Sequence, residues 1–121
     1  NDFNAEIIGT AGDDILTGTE ENNIIVGDRG NDILTGGLGA DTFQFTANSG
    51  NDSIVDFCVD VDTIKLDSSL GFTNSADAWF ALSIQSTENN SILSELDFGG
   101  DNKLTITSDL ILTPDDFTIL N

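Results

Sequence analysis

One nine-residue unit runs four times without a gap from Gly9 to Gln44, as GTAGDDILT (9–17), GTEENNIIV (18–26), GDRGNDILT (27–35) and GGLGADTFQ (36–44). Glycine opens each unit at Gly9, Gly18, Gly27 and Gly36. An amide or carboxylate fills the sixth place at Asp14, Asn23, Asp32 and Asp41, and a large apolar residue the eighth at Leu16, Ile25, Leu34 and Phe43. A single period shared by three positions marks a solenoid, in which each unit stacks on its neighbours.

The physics of the unit points the same way. Its Gly-, Asp- and Asn-rich first six residues suit a tight turn, because glycine adopts positive φ freely and Asx residues tolerate it. The triplet that follows, such as Asp14-Ile15-Leu16, suits a short strand with one side chain turned inward. Two units make one coil, so the first and third turns stack on one side and the second and fourth on the other. Stacked strands lie about 4.8 Å apart, a gap that a cation held at about 2.4 Å from oxygens above and below would span. The inward side chains are too few to offset the entropy of ordering the coil, so bound ions and end caps must supply stability.

The pattern resembles the G-G-x-G-x-D-x-U-x nonapeptide of the RTX calcium-binding repeats. The fourth unit matches best; the first and third also carry glycine at the fourth place, as Gly12 and Gly30, with Gly39 in the fourth unit. The second unit departs, with Glu21 for glycine and Asn23 for aspartate, and is expected to be the weaker ligand donor. The resemblance implies an all-β fold, a right-handed parallel β-roll of about four nonapeptide turns with a C-terminal β-rich cap. It also implies how calcium is held. One ion would take the Thr10 and Gly12 carbonyls and the Asp14 carboxylate with the Gly27 and Arg29 carbonyls and the Asp32 carboxylate; a second, the Thr19 and Glu21 carbonyls and the Asn23 side chain with the Gly36 and Leu38 carbonyls and the Asp41 carboxylate. A third would engage Asp28, Gly30 and Asp32 with a degenerate fifth turn around Gly50, Asn51 and Asp52, where two extra residues break the register. Two or three Ca2+ ions are expected.

Two plainer readings compete. The aspartates could serve only as Asx turns in a solenoid that binds nothing, but that would not gather carboxylates on one side of alternate layers. An EF-hand needs D-x-[DN]-x-[DN]-G with a closing glutamate, and Asp56, Asp60 and Asp62 lack both the glycine and the spacing. The chain has 121 residues, one domain's worth. Its net charge is -19 with only Arg29, Lys65 and Lys103 as cations, which disfavours nucleic acid and anionic membranes and favours cations. A halophile's acidic surface would explain that charge but not the register of Asp14, Asp32 and Asp41. Cys58 is alone and reads as a small hydrophobe. There is no membrane-spanning run, no signal peptide and no initiating Met, and the chain is expected to be covalently part of something longer.

The division expected is an N-terminal flank over 1–8, the roll over 9–52 and the cap over 53–121. The stretch GNDSIVDFCVDVDTIKLD (50–67) resembles the element that follows RTX repeats, with Ile54, Phe57, Ile64 and Leu66 continuing the strands. Ser75 to Phe80 reads as a short helix or turn whose aromatic pair packs on the roll. Ala81–Thr87, Ser91–Phe98 and Lys103–Thr107 read as strands, with a hairpin turn at 99–102. The acidic pair before apolar residues at 112–121 is similar to the type I export signal, and equally reads as a last strand. The sequons at Asn51 and Asn89 carry no weight.

With no His and a Cys that has no base, triad chemistry lacks its parts. The reading is therefore a non-enzymatic, calcium-binding module of a secreted, extracellular bacterial protein, exported by a type I exporter and folding when it meets calcium outside; the full-length parent is free to be an enzyme. Two alternatives are a carbohydrate-binding module like those of alginate epimerases, stacking a neutral glycan on Trp79, and an adhesive or surface-layer segment that self-associates. Ile15 and Ile33 form an outward apolar row that the cap or a partner must cover.

Overall fold

The computed structural model describes residues 5–46, 50–59, 61–72, 74–88, 91–99, 102–109 and 112–120. The nine-residue units fold as alternating turns and short strands, and the strands sort into two sheets. One carries β1 (Ala5–Ile8), β3 (Asn23–Val26), β5 (Thr42–Phe45), β7 (Thr63–Asp67) and β11 (Phe117–Leu120), in that order. The other carries β2 (Ile15–Thr17), β4 (Ile33–Thr35), β6 (Asn51–Phe57), β10 (Asn102–Ser108), β9 (Ser91–Gly99) and β8 (Leu82–Glu88). Every pairing from β1 to β7 joins parallel strands one coil apart, so this is a parallel β-roll.

Register follows the repeat while the repeat lasts. Ile15 lies opposite Ile33, and Ile24 opposite Thr42. Past the repeat, Ile33 meets Ser53 and Thr42 meets Thr63, so the inserted residues are absorbed in the turns while the strands stay paired. The stacking also reaches outside the four units: β1 pairs with β3 through Ala5 and Asn23, and β6 runs without interruption from the fifth turn into Phe57.

Alternation in each strand sends one face inward. Ile25, Leu34 and Phe43 are fully buried, as are Ile54, Ile64 and Leu66. Leu16, in the first coil with no described strand beyond it, is half-buried against the same core. Outward, Ile15 is 77% and Ile33 44% exposed, so no part of the described cap covers that row.

The cap shares this core and changes the pairing rule. β10 adds to β6 in parallel but pairs antiparallel with β9, which pairs antiparallel with β8. The hairpin between β9 and β10 sits where the sequence expects it, although Gly100 and Asp101 of its turn lie outside the described residues. α1 (Ser75–Phe80) is a short helix capped by Asn74, whose side chain accepts from the Asp77 N–H at 3.0 Å. Trp79 packs on the core and its indole N–H donates to the Leu112 carbonyl at 2.8 Å, but Phe80 is 77% exposed, so only half of the expected aromatic pair packs. A 3-10 turn at Pro114–Asp116 leads into β11, which lies parallel on β7. There Asp116 is buried and accepts from the Thr113 N–H at 2.8 Å, and Phe117 is buried beside it. The acidic-then-apolar C-terminal pattern thus has a folded role; Asn121 lies outside the described residues, as do Asn1 to Asn4 of the flank and the Asn89 sequon.

Candidate metal centre

The turns on each side of the roll are joined by a ladder of carboxylates. The N–H of Asp14 donates to Asp32 Oδ1 and the N–H of Asp32 to Asp52 Oδ1, both at 2.9 Å. On the other side the N–H of Asn23 donates to Asp41 Oδ1 and the N–H of Asp41 to Asp62 Oδ1, again at 2.9 Å. Asp32, Asp41, Asp52 and Asp62 therefore each cap the backbone of the turn one coil earlier. A second ladder runs in the opposite sense through the fifth place. Asn31 N–H donates to Asp13 Oδ1 and Ala40 N–H to Asn22 Oδ1 at 2.7 Å, and Asn51 N–H donates to Asn31 Oδ1 at 2.9 Å. The sequence reading passed over Asp13, Asn22 and Asn31, although an Asx residue at the fifth place of three successive units was a visible signal.

The first-coil turns differ from those stacked on them. Thr10 donates its N–H to Asp14 Oδ2 at 2.6 Å, and its hydroxyl accepts from the Gly12 N–H at 3.1 Å. Thr19 does the same for Asn23 Oδ1, at 2.9 Å, and Glu21, at 3.1 Å. In the next coil the second and fourth places turn left-handed: Asp28 has φ 67°, Gly30 93°, Gly37 82° and Gly39 86°. The sixth-place carboxylate then loses its local donor. Asp32, Asp41 and Asp52 each keep one oxygen, Oδ2, buried with no hydrogen-bond partner. The side chains themselves are almost wholly enclosed, at 1%, 1% and 2% exposure.

A buried carboxylate oxygen with nothing to accept is costly unless a cation faces it. Burial accordingly pushes the Asp41 and Asp52 carboxyls up to about 7, with neighbouring carboxylates adding to the effect: Asp62 and Asp56 for Asp41, Asp32 for Asp52. Asp32 and Asp62 are raised for the same leading reason.

Carbonyls converge on the same gaps. A Cβ on Gly37 would stand 2.6 Å from the Thr19 carbonyl oxygen and one on Gly39 2.7 Å from that of Glu21, while one on Gly30 would meet the Gly12 carbonyl. The Gly27 and Gly36 carbonyls face back toward Gly9 and Gly18. Among the described residues no three His, Cys, Asp or Glu side chains converge on one point, so an ion here would draw on main-chain oxygens as well. An all-oxygen set of carbonyls and carboxylates suits a hard cation of calcium's type. The residues present fit the ion.

Placement of the remaining sequence candidates is plain. Asp28 and Arg29 are exposed at the rim of the third turn and Leu38 is 67% exposed at the rim of the fourth. Gly12 and Glu21 sit in the first coil, where no described turn lies beneath them. A Cβ on Gly12 would touch only Thr10 Oγ1, at 3.7 Å, which is why a glutamate is tolerated at the same place one unit later.

Asp56 and Asp62 were weighed in the sequence only against an EF-hand, and the structure gives both another use. Asp62 is the last rung of its ladder and also accepts from the Cys58 N–H at 2.9 Å. Asp56 grips the N–H groups of Gly36 and Gly37 through its two oxygens, each at 2.8 Å. The triplet Asp62-Thr63-Ile64 repeats the form of Asp41-Thr42-Phe43, but the separation of 21 residues hid it from a period of nine. Cys58 is half-buried beside an open cleft of about 240 Å³, its thiol 3.7 Å from Asp109 Oδ2. Burial first, then Asp109, pushes that thiol up.

Comparison with known proteins agrees with this geometry. Residues 8–43 match the RTX calcium-binding nonapeptide repeat in four copies. No curated protein sequence matches the chain. Among solved structures, the crystal structure of the extracellular lipase LipA from Serratia marcescens superimposes with a TM-score of 0.63 at 19% identity, covering 95% of this chain and 21% of that one. The chain thus spans about a fifth of that protein's length, and the likeness is one of fold. Residues 8–43 thus carry the RTX calcium-binding nonapeptide repeat, folded as a parallel β-roll.

Proposed function

We propose that the chain is a calcium-binding module whose folding is driven by Ca2+ and serves the secretion, folding and stability of a longer extracellular bacterial protein. The observation that carries this reading is the row of buried, unpartnered Oδ2 atoms on Asp32, Asp41 and Asp52, set in the ladder that joins successive coils. Bound calcium would supply the positive charge that these carboxylates lack. Thr10, Gly12 and Asp14 with Gly27, Arg29 and Asp32 would hold one ion. Thr19, Glu21 and Asn23 with Gly36, Leu38 and Asp41 would hold a second, and Asp28, Gly30 and Asp32 with Asp52 a third.

Without the ion, the 22 acidic side chains repel and the repeat core is thin, so the coils favour disorder, a state suited to threading through a type I exporter. Outside the cell, calcium at about millimolar concentration falls in the range of extracellular modules, and binding free energy becomes folding free energy. The roll over 9–52 is then the metal-dependent part and 53–121 the cap, with the export signal at 112–121 read before β11 forms. Among the described residues no helix is long and apolar enough to cross a membrane.

Far-UV circular dichroism during a calcium titration, with magnesium as control, tests this. A coil-to-β transition near millimolar calcium and absent with magnesium is expected. A fully folded spectrum in excess chelator would overturn the switch.

Self-association is kept as a second reading by the exposed Ile15 and Ile33, neighbours in the same register on the outer face. Sedimentation velocity with calcium and with chelator decides it, a calcium-dependent dimer or larger species being the supporting result. The glycan reading loses ground, because the Trp79 ring is packed on the core and its N–H is engaged.

A further inference from the structure

Resting on the self-association reading above, we propose that the outer face of β2, β4, β6 and β10 is an interface with a second copy of this chain, docked about a twofold axis that lies in the face and runs along the strands between β4 and β6. The four strands are parallel and in register, so their outward side chains form rows. Asp13, Asn31, Asn51 and Lys103 make the first, tied together by the Asn31 N–H on Asp13 Oδ1 at 2.7 Å, the Asn51 N–H on Asn31 Oδ1 at 2.9 Å and the pairing of Asn51 with Lys103. Ile15, Ile33, Ser53 and Thr105 make the second. A third row, from Thr17 to Thr107, holds only threonine and valine. These side chains are exposed or half-buried, while those between them, such as Leu34, Ile54 and Ile106, are buried.

Charge selects a second copy as the occupant. At a net charge of -19, two copies repel wherever carboxylates meet. This face holds one charge of each sign, and they stand at opposite ends of the same row, Asp13 beside β2 and Lys103 on β10. The twofold axis exchanges those ends. Asp13 of each copy then meets Lys103 of the other, Asn31 meets Asn51, and Ile15 and Ile33 lie over Thr105 and Ser53. Such an interface is isologous, the same patch serving both copies. Lys103 is 4.0 Å from Glu95 of β9, but its side chain is 45% exposed and can take a second carboxylate. Glu95 and Asp97, on β9, fall beyond β2 of the other copy, opposite no described strand. The apolar contribution comes from Ile15 and Ile33, which lose water on docking. Four strands about 4.8 Å apart, each contributing five residues at about 3.3 Å, give a face of about 300 Å2, against roughly 800 Å2 per partner in a stable complex. The dimer is therefore weak and reversible.

Analytical ultracentrifugation in saturating calcium, from about 10 µM to about 1 mM chain, tests this. The unmodified chain should show a concentration-dependent dimer that weakens as salt is raised. Ile33→Asp, which sets a carboxylate in the middle of the face, should raise the dimer Kd about tenfold or more, and Lys103→Glu, which sets one against Asp13, about fivefold. Phe80→Asp, on the helix that packs beside β11 in the other sheet, should leave it within about twofold. Should either face variant fail to fold, an amide NMR dilution series of the unmodified chain reads the same surface, and its shifts should fall on Ile15, Ile33, Ser53 and Thr105 and spare α1. A dimer that Ile33→Asp and Lys103→Glu leave intact, or dilution shifts centred on α1, overturns this interface while self-association stands. A chain that stays monomeric throughout overturns both.

Discussion

The backbone N–H of Asp41 donates to Asp62 Oδ1 at 2.9 Å across 21 residues of chain, and the other oxygen of Asp62 accepts from the Cys58 N–H at the same distance. One buried carboxylate thus binds the last repeat turn to the first loop of the cap. Asp62→Ala would leave two enclosed N–H groups without acceptors, each costing about 1–3 kcal/mol. Chemical denaturation at saturating calcium should show a loss of about 2 kcal/mol or more. Glu20→Ala, at an exposed side chain, should cost under about 1 kcal/mol. Equal effects would remove Asp62 from this role.

The glycines of the two coils are expected to respond differently to the same change. At Gly39 a methyl group would enter a left-handed backbone, φ 86°, and stand 2.7 Å from the Glu21 carbonyl. Gly39→Ala should therefore destabilise the calcium-bound fold by about 1–3 kcal/mol, the cost of strain at such positions. Gly12→Ala meets open space and should change stability by no more than about 0.5 kcal/mol. Paired melting curves decide whether stacking or mere repeat membership makes a glycine indispensable.

Acidity should oppose calcium. The Asp41 and Asp52 carboxyls are held at about 7 in the metal-free fold, above their unfolded value of 3.8, so they favour the metal-free fold at low pH and that contribution is lost as pH rises toward 7. Ion binding needs the ionised form, so apparent calcium affinity should rise over the same interval. Midpoints of calcium-induced folding at about pH 5.5 and 7.5 check the sign. More calcium should be required at the lower pH, and an equal or smaller requirement there would contradict the burial of these groups.

Replacing the two central rungs is the direct test of the ladder. Asp32→Ala combined with Asp41→Ala removes one unpartnered oxygen from each side of the roll, and the calcium concentration at the folding midpoint should rise about fivefold or more. An unchanged midpoint would mean that the main-chain carbonyls suffice.

How much of this was legible beforehand depended on whether the period survived. The four units gave the two-sided stacking, the inward Ile25, Leu34 and Phe43 and the sixth-place rungs, because a regular coil maps each place in the unit to one place in space. Ile54, Phe57, Ile64 and Leu66 were legible as continuing strands from the resemblance of 50–67 to the element that follows RTX repeats. What escaped was set by contacts remote in sequence. Asp62 aligns with Asp41 only once the loop at 58–62 is folded, and Asp56 reaches Gly36 and Gly37 by replacing a main-chain acceptor that no pattern records. Phe80, expected to pack on the roll beside Trp79, is exposed and meets the Trp79 ring edge-on at 5.1 Å, because a helix of six residues presents only one of two adjacent side chains to the core.

The alternation of turns between two sides makes eighteen residues, rather than nine, the natural unit of change in length. Inserting or deleting eighteen residues within the repeat would keep Asp32 and Asp41 on their own faces and leave the junction at Asp56 and Asp62 untouched. A change of nine would exchange the faces and bring the wrong turn to the cap. Lineages of this module should therefore grow and shrink by whole coils, with the cap as the fixed point from which the coils are counted.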